Sequence, residues 1–123
     1  MAFVAAADHW RANDLYVASP DSPRPRRLLT AQRIEALRLA GRRLLVVVAT
    51  SKHPDDYVAS HTRVVLADLR GRTRTLARYG PGVHVGSDPD FDGQRAAWSV
   101  TRTSRDGRTV RPTGAIHVVR VVP

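Results

Sequence analysis

The chain contains no cysteine. That excludes a disulfide framework, a thiolate zinc site and a cysteine nucleophile, and it leaves the redox compartment open. Lysine is nearly absent. Lys52 is the only one, so the formal net charge of +9 rests on arginine. Aromatic residues make up 6% of the chain, so stacking platforms are few. No apolar run approaches the roughly 18 residues of a transmembrane helix; the run at residues 44–49 has the length of a strand. The opening Met1-Ala2-Phe3-Val4-Ala5-Ala6-Ala7 lacks the basic start of a signal peptide, which makes the cytoplasm the default expectation. There is no G-x-S-x-G, no H-E-x-x-H and no glycine-rich phosphate cradle. No catalytic residue is therefore assigned, and an enzyme is not expected.

What is present is a globular composition. The 123 residues are 42% apolar, enough for one domain with a real core. Residues 62–70, T-R-V-V-L-A-D-L-R, are the best copy of a segment that appears three times. The other copies are residues 13–19 and 114–120. Superimposing Leu15, Val65 and Ile116 gives a step of roughly 50 residues, inside the range of repeat architectures. Gly41 and Gly93 restart the order in the same way, each followed by a polar or basic pair and an apolar run.

Each unit reads as a glycine turn, an apolar strand, a polar loop, an alternating strand and a short basic strand. Residues 43–51 carry Leu44-Leu45-Val46-Val47-Val48, continuous and β-branched, as in a strand buried on both faces. Residues 2–7, 14–18, 26–30, 62–69, 73–78, 83–85, 94–101 and 115–122 are the other strand candidates. Residues 19–25 hold three prolines and read as a break, residues 87–93 as a turn, and residues 103–114 as a polar loop. Residues 31–40 are ambiguous. Ile34, Leu37 and Ala40 sit at helical spacing between Thr30 and Gly41, which is the pattern of a capped helix. By analogy with the next unit, residues 33–39 are assigned to a strand. The expected class is all-β, with antiparallel blade-like sheets in three units over residues 1–30, 31–80 and 81–123. A small β-sandwich, or an α+β fold with a helix at 31–40, is the alternative.

Asp90-Phe91-Asp92-Gly93-Gln94-Arg95-Ala96-Ala97-Trp98-Ser99 resembles the S-P-D-G-[KR]-[KR]-I-A-[FY] signature of the TolB-like, WD40-like β-propeller repeat. Residues 40–45 resemble it more weakly, lacking the acid before glycine. Residues 63–71 with 73–76, and residues 15–18 with 26–30, resemble the I-Y-V-V-D-L-x-G-x-x-R-x-L-T segment of the same repeat. The resemblance covers most of the chain. It implies blades whose innermost strands are residues 33–39 and 83–85. It also implies about two and a half blades, an incomplete ring, so that a longer chain, a protein partner or self-association is needed to cover open edges.

The implied function is a non-catalytic binding or scaffold role. The alternatives are an Arg-rich nucleic-acid or polyanion binder and the propeller portion of a larger hydrolase. Arginine suits phosphate, yet the arginines are spread along the chain. Asp88-x-Asp90-x-Asp92-Gly93 has the opening of a calcium loop, although Ser99 stands where the closing carboxylate would be. The other reading of these acids is a turn in which they cap backbone N–H groups. His53, Asp55, Asp56 and Tyr57 share one loop and form the candidate ligand-facing segment, with His61 nearby. Trp98 fills the aromatic slot of the signature, so core packing is expected for it. No cofactor beyond a possible calcium ion is implied.

Overall fold

A computed structural model describes residues 2–8, 12–19, 22–51, 60–105 and 110–121. Every regular element among them is a strand: β1 Ala2–Asp8, β2 Ala12–Ser19, β3 Ser22–Ala31, β4 Arg33–Ala40, β5 Arg43–Thr50, β6 His61–Asp68, β7 Thr73–Tyr79, β8 Val83–Val85, β9 Asp90–Phe91, β10 Arg95–Arg105 and β11 Val110–Arg120. They form three antiparallel sheets in chain order. The first is β1-β2-β3, the middle is β4-β5-β6-β7, and the third is β11-β10-β8 with β9 also on β10. The fold class is all-β.

The sheets pack face on face, and β5 shows why. Its side chains alternate between two cores. Leu44, Val46 and Val48 meet Leu15, Val17, Leu28 and Leu29 of the first sheet. Leu45 and Val47 meet Val85, Phe91, Ala96, Trp98 and Val100 of the third. A strand with apolar layers on both sides has no polar face to show, which accounts for the unbroken run at residues 44–49. Burying each Leu or Val contributes about 1.5–3 kcal/mol.

Residues 33–40 are a strand, and their helical spacing has a specific cause. The pairing of β4 with β5 steps from Ile34↔Val48 to Ala36↔Val47, so Glu35 is an extra, bulged residue. A bulge resets the period of two. Ile34 and Leu37, three apart, therefore both face the first sheet, while Ala36 and Ala40 face the third. The three-layer stack likewise replaces the two-layer sandwich considered as an alternative.

Three other segments differ from the sequence expectation. The proline-rich stretch does not wholly break the sheet: β3 begins at Ser22 and takes in Pro23 and Pro25. It is an edge strand, where a missing N–H costs no ladder bond. Residues 103–114 are mostly ladder. β10 runs to Arg105, and β11 begins at Val110, with Thr103↔Pro112 and Arg105↔Val110 paired in the register already set at Ala96↔Val119. Phe91, expected in a turn, is buried, and β9 pairs with Ala96 and Ala97.

The repeat survives in three dimensions with a shift of one residue. The pair Val47↔Val64 of the middle sheet corresponds to Ser99↔Ile116 of the third, at the interval that separates Gly41 from Gly93. Ile116 thus matches Val64 rather than Val65, because a one-residue slip exchanges the faces of a strand. Both glycines have positive φ, 61° and 94°, at equivalent turns. The outer strands share a bulge as well: Leu28 in β3 and Leu76 in β7 are each the extra residue against the neighbouring strand.

Gly86 is fixed by a close approach rather than by φ. Its N–H donates to the Ser99 carbonyl at 2.9 Å, and a Cβ there would collide with the Ser99 hydroxyl. Gly86→Ala should lower stability by about 1 kcal/mol, the scale of a displaced rotamer. Adding Ser99→Ala should restore it. Urea denaturation of the single and double variants tests the pair, and a double variant as weak as the single would contradict the contact.

Candidate functional site

The ends of β5, β6 and β7 enclose an open cleft of about 350 Å³ lined by Thr50, His61, Thr62, Arg63, Arg78, Tyr79 and Gly80. Local sequence places each group. β5 ends at Thr50, whose carbonyl accepts from Ser60 N–H at 2.7 Å. This bond precedes β6, which starts at His61. Thr62 turns inward and is buried, while Arg63 is half-buried and directly opposite Arg78 across the ladder. Neither arginine forms an ion pair with a described residue. Like charges directly opposite on adjacent strands repel, so among the described residues the cleft presents two arginines with no acid paired to them, beside the Thr50 and Thr62 hydroxyls.

The bulge at Leu76 makes this juxtaposition. The ladder pairs Val65 with Thr75 but Val64 with Ala77. Without the extra residue Arg63 would face Ala77. The alternation of Thr73, Thr75 and Ala77 with Arg74, Leu76 and Arg78 is visible in the sequence, but the partner of each arginine is not.

His53, Asp55, Asp56 and Tyr57, the candidate ligand-facing loop, lie outside the described residues. The described residues flanking them in sequence, Ser51 and Ser60, adjoin Thr50 and His61 of the cleft.

The acids proposed for calcium point to other tasks. Asp92 Oδ1 accepts from Gln94 N–H at 2.8 Å and Arg95 N–H at 2.6 Å, capping the turn into β10. Asp88 pairs with Arg38, joining the loop between β8 and β9 to β4. Asp90 sits in β9 opposite Ala97 and is exposed. Among the described residues no three His, Asp or Glu side chains converge on a metal-sized space.

Asp68 caps the β6–β7 turn as Asp92 caps its own. Its Oδ1 accepts from Arg70 and Arg72 N–H, and Oδ2 takes Arg72 Nε at 2.7 Å. Burial pulls the Asp68 carboxyl upward, but the Arg72 and Arg70 donors together outweigh it, and the group lies below its usual 3.8. The Arg95 and Gln94 N–H groups likewise hold Asp92 below 3.8. A carboxyl with a depressed folded pKa contributes stability above its unfolded pKa and loses it as pH falls through the folded value. The contribution of these two caps to the urea midpoint should therefore be constant from neutral pH to about 4 and fall below that. Asp68→Asn with Asp92→Asn should flatten the drop, and an unchanged acid limb would contradict the capping role.

Trp98 is 2% exposed. Its Nε1 donates to Tyr79 Oη at 2.9 Å, and its ring stacks on His117 with centroids 6.2 Å apart. Tyr79 meets the same imidazole edge-on. The trio joins β7 of the middle sheet to β10 and β11 of the third, and Tyr79 also lines the cleft. Among the described residues no helix is long and apolar enough to cross a membrane.

Compared with protein-family models, curated proteins and solved structures, the chain matches none.

Proposed function

We propose that the chain is a propeller-type binding or scaffold module, without catalysis of its own, that holds an acidic protein segment at the strand-end cleft of the middle sheet. The propeller reading is supported by three meander sheets in chain order, stacked face on face, with the turn glycine and outer-strand bulge repeated. The binding reading rests on one observation: Arg63 faces Arg78 across the β6–β7 ladder with no described acid between them. A carboxylate placed between two guanidinium groups replaces their repulsion with charge-assisted hydrogen bonds. The cleft suits a short acidic segment better than a nucleic-acid backbone, because it offers two adjacent arginines rather than a continuous basic strip.

Fluorescence anisotropy of a labelled hexaglutamate peptide tests this reading, with a single-stranded oligonucleotide run in parallel. Arg63→Gln with Arg78→Gln should weaken peptide binding about tenfold or more, at 1.4 kcal/mol per decade, and leave the melting temperature in place. Peptide binding should also weaken as salt rises. Affinity unchanged in the double variant would remove the cleft from the proposal. Preference for the oligonucleotide, with a steep salt slope, would favour the nucleic-acid reading instead.

A further inference from the structure

The two outermost faces of the stack are unlike each other, and each reproduces a face that is covered inside the molecule. On the third sheet, Ala96, Trp98, Val100, Val119 and Val121 pack toward the middle sheet. Strand alternation turns Ala97, Ser99, Ile116 and Val118 the other way. Ile116 is 78% exposed and Val118 66%. The pairs Ser99↔Ile116 and Ala97↔Val118 occupy the positions of Val47↔Val64 and Leu45↔Leu66 in the middle sheet. There the same face is buried, and the third sheet is what covers it. The open face is thus the type on which the next sheet sits.

The first sheet carries the complementary type. Leu15 and Val17 face the middle sheet, so Asp14, Tyr16 and Ala18 lie on the outer face. That is the side on which, in the middle sheet, Val65 and Ala67 receive the preceding sheet. Both joints within the chain are made in this one sense, and a further joint of the same sense requires a third-sheet face to meet a first-sheet face.

We infer that a second copy of this chain supplies it, third sheet to first sheet at both junctions, so that two copies close a six-sheet ring. The inference rests on the propeller reading above. The described residues of each chain form three sheets, and propellers hold about four to eight blades, a range in which six is the only multiple of three. A head-to-tail contact that closes gives a ring, whereas one that does not close gives an open fibre. The occupant is another meander sheet rather than an unrelated surface, because the exposed pairs continue the register of a joint already made between β4–β7 and β8–β11. The charge of +9 per copy opposes the association, so added salt strengthens it. Binding of an acidic peptide responds to salt in the opposite direction.

Sedimentation velocity on the full chain from micromolar to about 100 µM covers the range in which a specific interface of standard size associates. The expected species has twice the 13.6 kDa chain mass, and more of it forms in high salt. Ile116→Asp with Val118→Asp should raise the dissociation constant about 100-fold or more, since the new charges would be buried unpaired. Both positions are exposed in the single chain, so its circular dichroism and melting should not change. Tyr16→Asp, on the opposite end of the stack, should weaken the dimer as well. A symmetric third-sheet-to-third-sheet dimer would ignore Tyr16→Asp, and that result would overturn the head-to-tail ring. A monomer at every concentration, a dimer indifferent to Ile116→Asp with Val118→Asp, or an open series of larger species would overturn it too. A monomer that still binds hexaglutamate through Arg63 and Arg78 would leave the cleft standing, so the two proposals fail separately.

Discussion

Leu44→Ala and Leu45→Ala should each cost about 2–5 kcal/mol, the range for truncating a fully buried leucine. Two neighbouring strand residues rarely both carry such a penalty. In a two-layer fold one of them points to solvent, and its truncation is close to neutral. Here both side chains are 0% exposed, and they enter different cores. Leu44 packs with Leu15, Val46, Val48 and Val65 toward the first sheet, and Leu45 packs with Val64, Phe91 and Trp98 toward the third. The two side chains belong to different cores, so the double variant should lose more than either single variant, with a coupling term set by their adjacency in β5. For a domain of this size the combined loss is comparable to the whole stability, about 5–15 kcal/mol. Urea titration of the single variants measures the effect. If either variant costs less than about 1 kcal/mol, that face of β5 is not buried, and the middle sheet is not the centre of the stack.

Trp98→Ala should be the most damaging single change in the third sheet, at about 3–5 kcal/mol. Trp98 is buried on the side that meets the middle sheet and packs against both Tyr79 and His117. Removing it leaves a cavity, strands the Tyr79 hydroxyl and unstacks the imidazole. The components can be separated. Tyr79→Phe deletes only the acceptor of the indole N–H at 2.9 Å, and should cost about 1 kcal/mol. Trp98→Phe keeps part of the apolar volume and should fall between the two. If the hydrogen bond is real, Tyr79→Phe in a Trp98→Phe background should cost clearly less than in the wild type. Full additivity would show that the two groups do not interact. Tyr79 also lines the cleft, so the same variants report whether the joint between sheets positions the Arg63 and Arg78 strands. Loss of peptide affinity in Trp98→Phe without loss of fold would be that signal.

The sequence was most legible where one physical constraint dominated. The run Leu44-Leu45-Val46-Val47-Val48 requires apolar surroundings on both faces, and the structure supplies them. Gly41 and Gly93 marked equivalent turns because only glycine enters their positive φ easily. The aromatic slot that Trp98 fills in the signature it resembles implies core packing, and Trp98 is buried. Legibility failed where the period of two was interrupted. Glu35 bulges from β4 and gives Ile34 and Leu37 a helical spacing within a strand. Leu76 bulges from β7 and brings Arg63 opposite Arg78. A bulge leaves little trace in composition, so the pairing that forms the cleft could not be read in advance. The 103–114 stretch departs from its sequence expectation for another reason. Its residues are polar, but a long hairpin needs only compatible backbone and a fixed register, and Thr103, Val110 and Thr113 provide the first.

The prolines and bulges of the outer strands have a consequence for how the molecule can grow. A bare strand edge is a template on which any extended chain can assemble. β3 carries Pro23 and Pro25 and a bulge at Leu28, β7 carries a bulge at Leu76 and exposed Arg74 and Arg78, and β11 carries Pro112. Each device spoils lateral pairing by removing a donor, twisting the ladder or bringing up charge. These three edges are poor seeds for fibrils. Lateral growth toward amyloid is thereby disfavoured, and a thioflavin assay on Pro23→Val with Pro25→Val should show the protection being lost.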